Sequence, residues 1–218
     1  ASLKRAAAGT ANWIERRLGL IKPLTAAAEH PTPASNASWW YVFGSAATVL
    51  LVLQIVTGVL LGLVYSPSAN EAWRSLGLLN ERIPLGWYLR ALHGWGSDFM
   101  IAIVLIHVVQ VFLFGAYKFP RELTWMIGVG LLLLTLAMSF TGQVMRFDQD
   151  AYWGLGIGAS IMSRVPLIGA PLVHLMLGGP IIASATLSRF FALHVFVIPG
   201  ILIVAAGVHI WLTLYHGV

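Results

Sequence analysis

Two pairs of histidines stand inside apolar runs of this chain: His93 and His107, 14 residues apart, and His194 and His209, 15 apart. At 100° per residue, either step returns a helix to within about 40–60° of one face after a rise of roughly 21–22 Å. Imidazoles in a lipid-spanning helix are uncommon and mark functional sites, usually with partners on another helix. Matched pairs on two helices give two levels, each with one imidazole from either side. That donor set suits two metals with trans axial imidazoles, a position in which haem iron is the usual occupant. A lone His in a helix bundle more often hydrogen-bonds to a neighbour; two pairs at matching spacing depart from that ordinary reading.

Two other apolar runs repeat the period. Gly44 and Gly58 are 14 residues apart, and so are Gly128 and Gly142. A flat macrocycle set between four helices needs close backbone approach from the helices that do not ligate, and glycine permits it. Glycine is also common at membrane helix packing faces, so the shared period carries this point. Arg90 lies three residues before His93 and Arg189 five before His194, positions from which a guanidinium can pair with the carboxylates of a haem. Asp98 sits inside the same run as His93, where an unpaired carboxylate is costly; it is protonated, paired, or facing a wet cavity.

The elements that must carry these residues are legible in the hydropathy. Of 218 residues 58% are hydrophobic and 10% charged, and the mean hydropathy is +0.82. Soluble domains are about 25% charged, so the composition argues against a water-soluble fold. Four apolar stretches, near 38–65, 87–117, 124–145 and 187–214, reach the roughly 20 residues that cross a bilayer. Trp39, Trp40, Tyr41, Trp87, Tyr88, Trp125, Trp211 and Tyr215 stand at their ends as interfacial anchors. The short connection through Lys118, Pro120 and Arg121 makes the second and third spans antiparallel neighbours. Residues 146–186, rich in Gly and Pro, contain no run long enough to span, and short helices along one membrane face are expected there. The fold class is therefore all-α transmembrane: a four-helix bundle over 38–218 holding two haems, with short surface helices between the third and fourth spans. Residues 1–37 form a separate N-terminal segment, in which Trp13, Ile14, Leu18, Leu20 and Ile21 make an apolar stripe beside basic residues, a pattern suited to the membrane interface. It lacks the apolar core and small-residue cleavage site of a secretory leader.

An even number of spans puts both termini on one side. Lys4, Arg5, Arg16, Arg17, Lys22, Lys118 and Arg121 fall on that side, and Arg74, Arg82, Arg90, Arg146, Arg164 and Arg189 on the other. With Arg90 and Arg189 set aside as cofactor partners, the excess places the N-terminus inside. The net charge of +5 suits loop cations facing anionic lipid, and nucleic acid is not an expected partner. With no Cys, the chain cannot hold disulfides, cysteine-ligated clusters, thioether-linked haem or Cys-type zinc.

Taken together, these residues resemble the N-terminal four-helix dihaem domain of cytochrome b in the quinol–cytochrome c reductase (bc-type) family, over nearly the whole chain. The likeness rests on Trp13-Ile-Glu-Arg-Arg-Leu18, Gln54-Ile-Val-Thr-Gly58, His93 with His107, Pro120-Arg-Glu-Leu-Thr-Trp125 and Phe140-Thr-Gly142. It continues through Asp148-Gln149, Tyr152-Trp-Gly154, Pro171-Leu-Val173 and Thr186-Leu-Ser-Arg-Phe-Phe-Ala-Leu-His194. The 15-residue step and the short length look like the split form of photosynthetic cytochrome b subunits, whose remaining helices sit on a separate chain. The resemblance implies that His93 with His194 ligates a low-potential haem near the quinol-oxidising side. His107 with His209 would then ligate a high-potential haem near the quinone-reducing side. It implies two non-covalent b haems, quinol as substrate, and coupling of electron transfer to proton translocation in a bacterial plasma or photosynthetic membrane. Implied partners are the chain with the later helices, a Rieske iron–sulfur protein that takes one electron, a c-type cytochrome beyond it, and membrane lipid, in a dimeric complex. Activity would belong to that assembly. Gly142, Asp148, Gln149, Tyr152 and Trp153 are candidates for the quinol pocket, because polar residues at membrane depth need a cavity or a partner. Asp148 and His174 are candidates for the proton exit.

Four positions depart from the family pattern. Val42 stands where the photosynthetic form has the Cys that attaches a third haem, so no covalent third haem is expected. Arg146-Phe147 replaces Pro-Trp and alters the wall of the quinol pocket. Gln110 replaces an Arg and removes one propionate partner from the high-potential haem, and His174 replaces a Glu. His30 and His216 match no family role. Two other classes share part of the pattern. A dihaem anchor of a quinone-linked dehydrogenase shares the histidines but not the Pro120–Trp125 or Thr186–His194 strings. A haem-free proton-coupled transporter would use intramembrane His and Asp98, and would be colourless.

Overall fold

The computed structural model describes residues 39–217 together with Asn12 and Thr25. The interfacial segment expected over 1–37 otherwise lies outside the described residues, as do Trp13–Leu18 and His30. A single 3₁₀ turn, Trp39–Tyr41, leads into α1, Val42–Gly62. There follow α2, Ala72–Glu81; α3, Gly86–Leu113; α4, Glu122–Met145; α5, Gln149–Ser163; and α6, Gly169–Leu177. The last span runs from α7, Ser184–Ala192, through a π-helical stretch, Leu193–Val197, into α8, Ile198–His216. Among the described residues there is no strand.

The four expected spans are present as Trp39–Gly62, Gly86–Leu113, Glu122–Met145 and Ser184–His216, all long and apolar enough to cross a membrane. A helix satisfies all its backbone groups internally, so runs of this composition take that form. Little of their surface is buried within the chain; Val49, Leu63, Leu133 and Val204 are all more than 60% exposed, as lipid-facing side chains are. The short helices expected between the third and fourth spans are α5 and α6. The segment between the first and second spans, to which hydropathy assigns nothing, also holds a helix, α2, packed on α3.

Buried apolar packing caps one end of the bundle, where α4 ends and α7 begins. Val144, Leu155, Ala159, Leu177 and Phe190 form a buried cluster there, drawn from α4, α5, α6 and α7. Thr186, fully buried, donates its hydroxyl to the Leu177 carbonyl at 2.6 Å and accepts the Ala183 amide at 3.0 Å. It thereby closes the α6–α7 turn. Tyr65, just past the first span, donates to the Met145 carbonyl at 2.7 Å and stacks on Phe191. Ala69 and Pro67 bond to the Ser184 and Ser188 hydroxyls, so the exit of the first span is tied to the start of the fourth.

The π stretch stands directly before a proline. Pro199 has no amide hydrogen and cannot bond to the carbonyl four residues back. The Ile198 amide reaches the Leu193 carbonyl instead, an i to i+5 bond. Such a turn houses one more residue than an α turn, and so takes up the extra residue between His194 and His209. The two ends of the fourth span therefore hold nearly the relation that a 14-residue step gives on α3.

Candidate cofactor site

The four histidines of the two pairs all point inward, and each faces one of the four periodic glycines. A Cβ built on Gly58 would stand 3.1 Å from Cε1 of His93, and one on Gly142 would stand 2.8 Å from Cε1 of His194. Gly44 and Gly128 meet His107 and His209 in the same way, at 3.3 and 3.1 Å. Hence α1 backs the imidazoles of α3 and α4 backs those of the fourth span, at both levels. The glycines make room for the rings themselves.

Hydrogen bonds fix which ring nitrogen is free. Thr57 donates its hydroxyl hydrogen to the Leu53 carbonyl at 2.6 Å, so its oxygen accepts from Nδ1–H of His93, 2.9 Å away. Thr141 donates to the Ala137 carbonyl at 2.8 Å and accepts from Nδ1–H of His194, also at 2.9 Å. At the other level Nδ1 of His209 lies 3.0 Å from the Thr124 carbonyl, which can only accept. Nδ1 of His107 lies 3.3 Å from Oε1 of Gln110. These partners assign the proton to Nδ1 of each ring, which leaves Nε2 with the lone pair that a metal binds.

The rings of His93 and His194 have centroids 6.3 Å apart. Two metal–imidazole bonds of about 2 Å each, with the ring radius added at both ends, put trans imidazole centroids about 6 Å apart. Among the described residues no three His, Cys, Asp or Glu side chains converge, so a bare ion with its ordinary three or four protein ligands does not fit. The facing imidazoles would suit a metal carried in a macrocycle, which needs only two donors from the protein.

The other candidates divide. Arg189 donates to the carbonyls of His174 and Leu175, tying α7 to the end of α6. Arg90 borders a recess on the outer side of α3. Asp148 caps α5: its Oδ1 accepts the Ala151 amide at 3.0 Å, and its Oδ2 is paired with Arg146. Gln149 accepts the Trp153 indole N–H at 3.0 Å, and Tyr152 sits edge-on to Phe147 and Trp153. Asp148, Gln149, Tyr152 and Trp153 thus gather on the first turns of α5, with Trp153 at the edge of a 740 Å³ surface recess, whereas Gly142 turns to His194. His174 is exposed on the last turn of α6, and His216 packs edge-on to Tyr215. Burial pushes the Tyr65 hydroxyl well above its ordinary value of 10.0.

Sequence reasoning missed Thr57 and Thr141, the acceptors that orient His93 and His194. A signal was present: each is a threonine directly before one of the periodic glycines. Gln110, noted only as a departure, is the partner of His107.

Comparison with known proteins gives a consistent result. The family model described as Cytochrome b/b6/petB matches residues 28–217. The cytochrome b6 of Heliobacterium mobile is 36% identical over 86% of this chain and 89% of its own length. The cytochrome b of Rhodobacter capsulatus is 34% identical over 93% of this chain, which spans only 46% of that longer protein. A solved structure described as a hyperthermophilic respiratory Complex III superposes with a TM-score of 0.85 at 30% identity, covering 95% of this chain and 55% of that one.

Proposed function

Because this chain belongs to the cytochrome b/b6 family, we propose that it is the dihaem subunit of a quinol-oxidising bc-type complex. In this reading it carries electrons across the membrane through two non-covalent b haems, coupled to proton translocation. The family implies haem b. Two such groups, which would be held by His93 with His194 and by His107 with His209, are the finer reading. The observation that carries it is the common state of the four imidazoles: Nδ1–H engaged by Thr57, Gln110, Thr141 and the Thr124 carbonyl, and Nε2 left free. Gly44, Gly58, Gly128 and Gly142 supply the space. Haem held there supplies a one-electron carrier at each level.

What the chain itself contributes is orientation and insulation. The hydrogen bonds at Nδ1 fix the ring planes and raise the basicity of Nε2. The apolar spans keep water from the interior. The level of His93 and His194 lies toward the capped end, and it is there that α5 presents Gln149, Tyr152 and Trp153. We place quinol oxidation, with the low-potential haem, at that end. The side chains of Asp148 and Arg146 set the start of α5.

The reading extends to the later cytochrome b helices on a separate chain, a Rieske protein and a c-type cytochrome in a dimeric complex, with the N-terminus inside an energy-transducing membrane. The likeness to the short cytochrome b6 relatives supports the separate chain. Family membership supports the bc-type reading over the dehydrogenase anchor.

The decisive experiment is haem counting in single variants of the purified complex. Pyridine haemochrome should give two protohaems per chain. His93→Ala and His194→Ala should each abolish one redox component, and His107→Ala and His209→Ala the other. Loss of the same component in His93→Ala and His107→Ala would overturn the pairing.

A further inference from the structure

We propose that the outer face of α3 around Asp98 is the docking site for a transmembrane helix of another subunit, one that carries a Lys or Arg at the depth of Asp98. The proposal is independent of the haem assignments.

Asp98 lies 12 residues beyond Gly86 and 15 before Leu113 in α3, about 18 Å from one end of the helix and about 22 Å from the other. That is the middle of a membrane span. Its side chain is exposed on the outside of the bundle, and it has no hydrogen bond or ion pair among the described residues. Hydrocarbon cannot solvate a carboxylate, and charged groups at this depth ordinarily face a protein partner or a wet cavity. Arg90 is eight residues nearer the membrane surface, roughly 12 Å away along the axis, so the cation that Asp98 lacks is not supplied by its own helix.

The surface around it is shaped for a helix. Gly94, Asp98 and Ala102 follow one another at four-residue intervals, and all three are exposed. A Cβ on Gly94 would meet nothing within 4 Å. Small residues spaced in this way let a second helix backbone approach closely in lipid, with the carboxylate held between the two points of approach. Trp95 and Phe99, 67% and 59% exposed, stand as a ridge along one side. Toward the membrane surface Gly94 and Asp98 of the row line a recess of about 510 Å³ that Asn80, Trp87, Arg90 and Trp95 also border.

Charge complementarity selects the occupant. Lipid headgroups do not reach mid-membrane. A helix bearing one basic residue satisfies the carboxylate and fills the row together.

The test uses the intact membrane complex. A benzoylphenylalanine photo-crosslinker at Trp95 leaves Asp98 in place and reports what lies against this face. The expected product is a cross-link to a transmembrane segment of one subunit with a Lys or Arg within one helical turn of the attachment point. Asp98→Asn and Asp98→Leu should lower the content of that subunit in the purified complex about tenfold or more, as loss of one member of a desolvated charge pair does, with haem content unchanged. Asp98→Lys combined with an acidic residue at the partner's basic position should restore it. Cross-links to lipid alone, or to a helix with no basic residue, overturn the proposal. So does an Asp98→Leu complex with full subunit content. An Asp98→Asn complex that keeps every subunit but turns over slowly overturns it in favour of a proton role.

Discussion

Thr141 and His194 stand on different spans, yet the hydroxyl oxygen of one and Nδ1 of the other are 2.9 Å apart, and Thr57 repeats the relationship with His93 at the same distance. Two helices that carry none of the four imidazoles thus set the orientation of those on the other two. At the opposite level the acceptors are a side chain one turn along the same helix, Gln110, and a backbone carbonyl, Thr124. The two levels are therefore tunable by different means, and only the first is open to a conservative side-chain exchange on α1 or α4.

Thr141→Val keeps the shape and removes the acceptor. Without it the imidazole is a weaker base and supports the ferric state less, so the midpoint potential of the haem proposed at His93 and His194 should rise. A change of about tenfold in relative affinity, some 60 mV for one electron, is the scale for such an outer partner. Redox titration should show the shift in that component alone. Equal shifts in both components would contradict the separation of levels.

Alanine at the four glycines should be tolerated in a definite order. An added Cβ meets His194 at 2.8 Å from Gly142, His93 and His209 at 3.1 Å from Gly58 and Gly128, and His107 at 3.3 Å from Gly44. Overpacking of this kind costs about 1–3 kcal/mol, so retention of haem on heating should be worst for Gly142→Ala and best for Gly44→Ala. A bulky residue at 142 disturbs His194 before it fills any quinol pocket. Tyr152 and Trp153 are the cleaner handles on the quinol pocket proposed at the start of α5, and their substitution should slow quinol-dependent reduction with both haem spectra intact.

Asp148 tests whether a carboxylate here is a proton carrier or a cap. Asp148→Ala loses the bond to the Ala151 amide, a loss of about 1 kcal/mol for a helix N-cap. Asp148→Asn keeps an acceptor at that position. If capping is the role, amide exchange in the first turn of α5 should accelerate in Asp148→Ala only, and quinol-driven reduction should follow the same pattern. Equal loss of reduction in both variants would point to proton transfer.

Tyr65 gives the complex an alkaline limit. Below its ordinary value of 10.0, both folded and unfolded chains keep the phenolic proton, and its contribution to stability is complete. Above that pH the unfolded chain loses the proton first, so stability falls as pH rises. Tyr65→Phe should be less stable at neutral pH by about 1 kcal/mol, the scale of one hydrogen bond. It should also show a shallower decline in thermal stability between pH 9 and pH 11 than the parent.

Much of this was legible in the sequence because lipid imposes a simple rule: apolar length makes a span, and a buried imidazole needs a reason. The histidines and the glycine period both follow from that rule. What escaped it depends on the direction of one side chain. Thr57 and Thr141 read as ordinary helix residues until the ring they face is known. Arg189 donates to two carbonyls in the last turn of α6, a contact that hydropathy cannot foresee. The helix α2 carries the polar Arg74, Ser75, Asn80 and Glu81 and leaves no hydropathy signal of its own.

The wide turn at Leu193–Val197 makes this part of the fourth span the one place where chain length can change at little harm. Deleting one residue there, for example Val195, lets the turn close to an ordinary α turn while both flanking segments keep their relation. A deletion between Gly200 and Gly207 has no such slack: it swings His209 by about 100° around the axis and shifts it about 1.5 Å along it, out of reach of Gly128 and the Thr124 carbonyl. Spacings of 14 and 15 residues between the two histidines are then interchangeable alleles of one architecture, provided that the indel falls before Pro199.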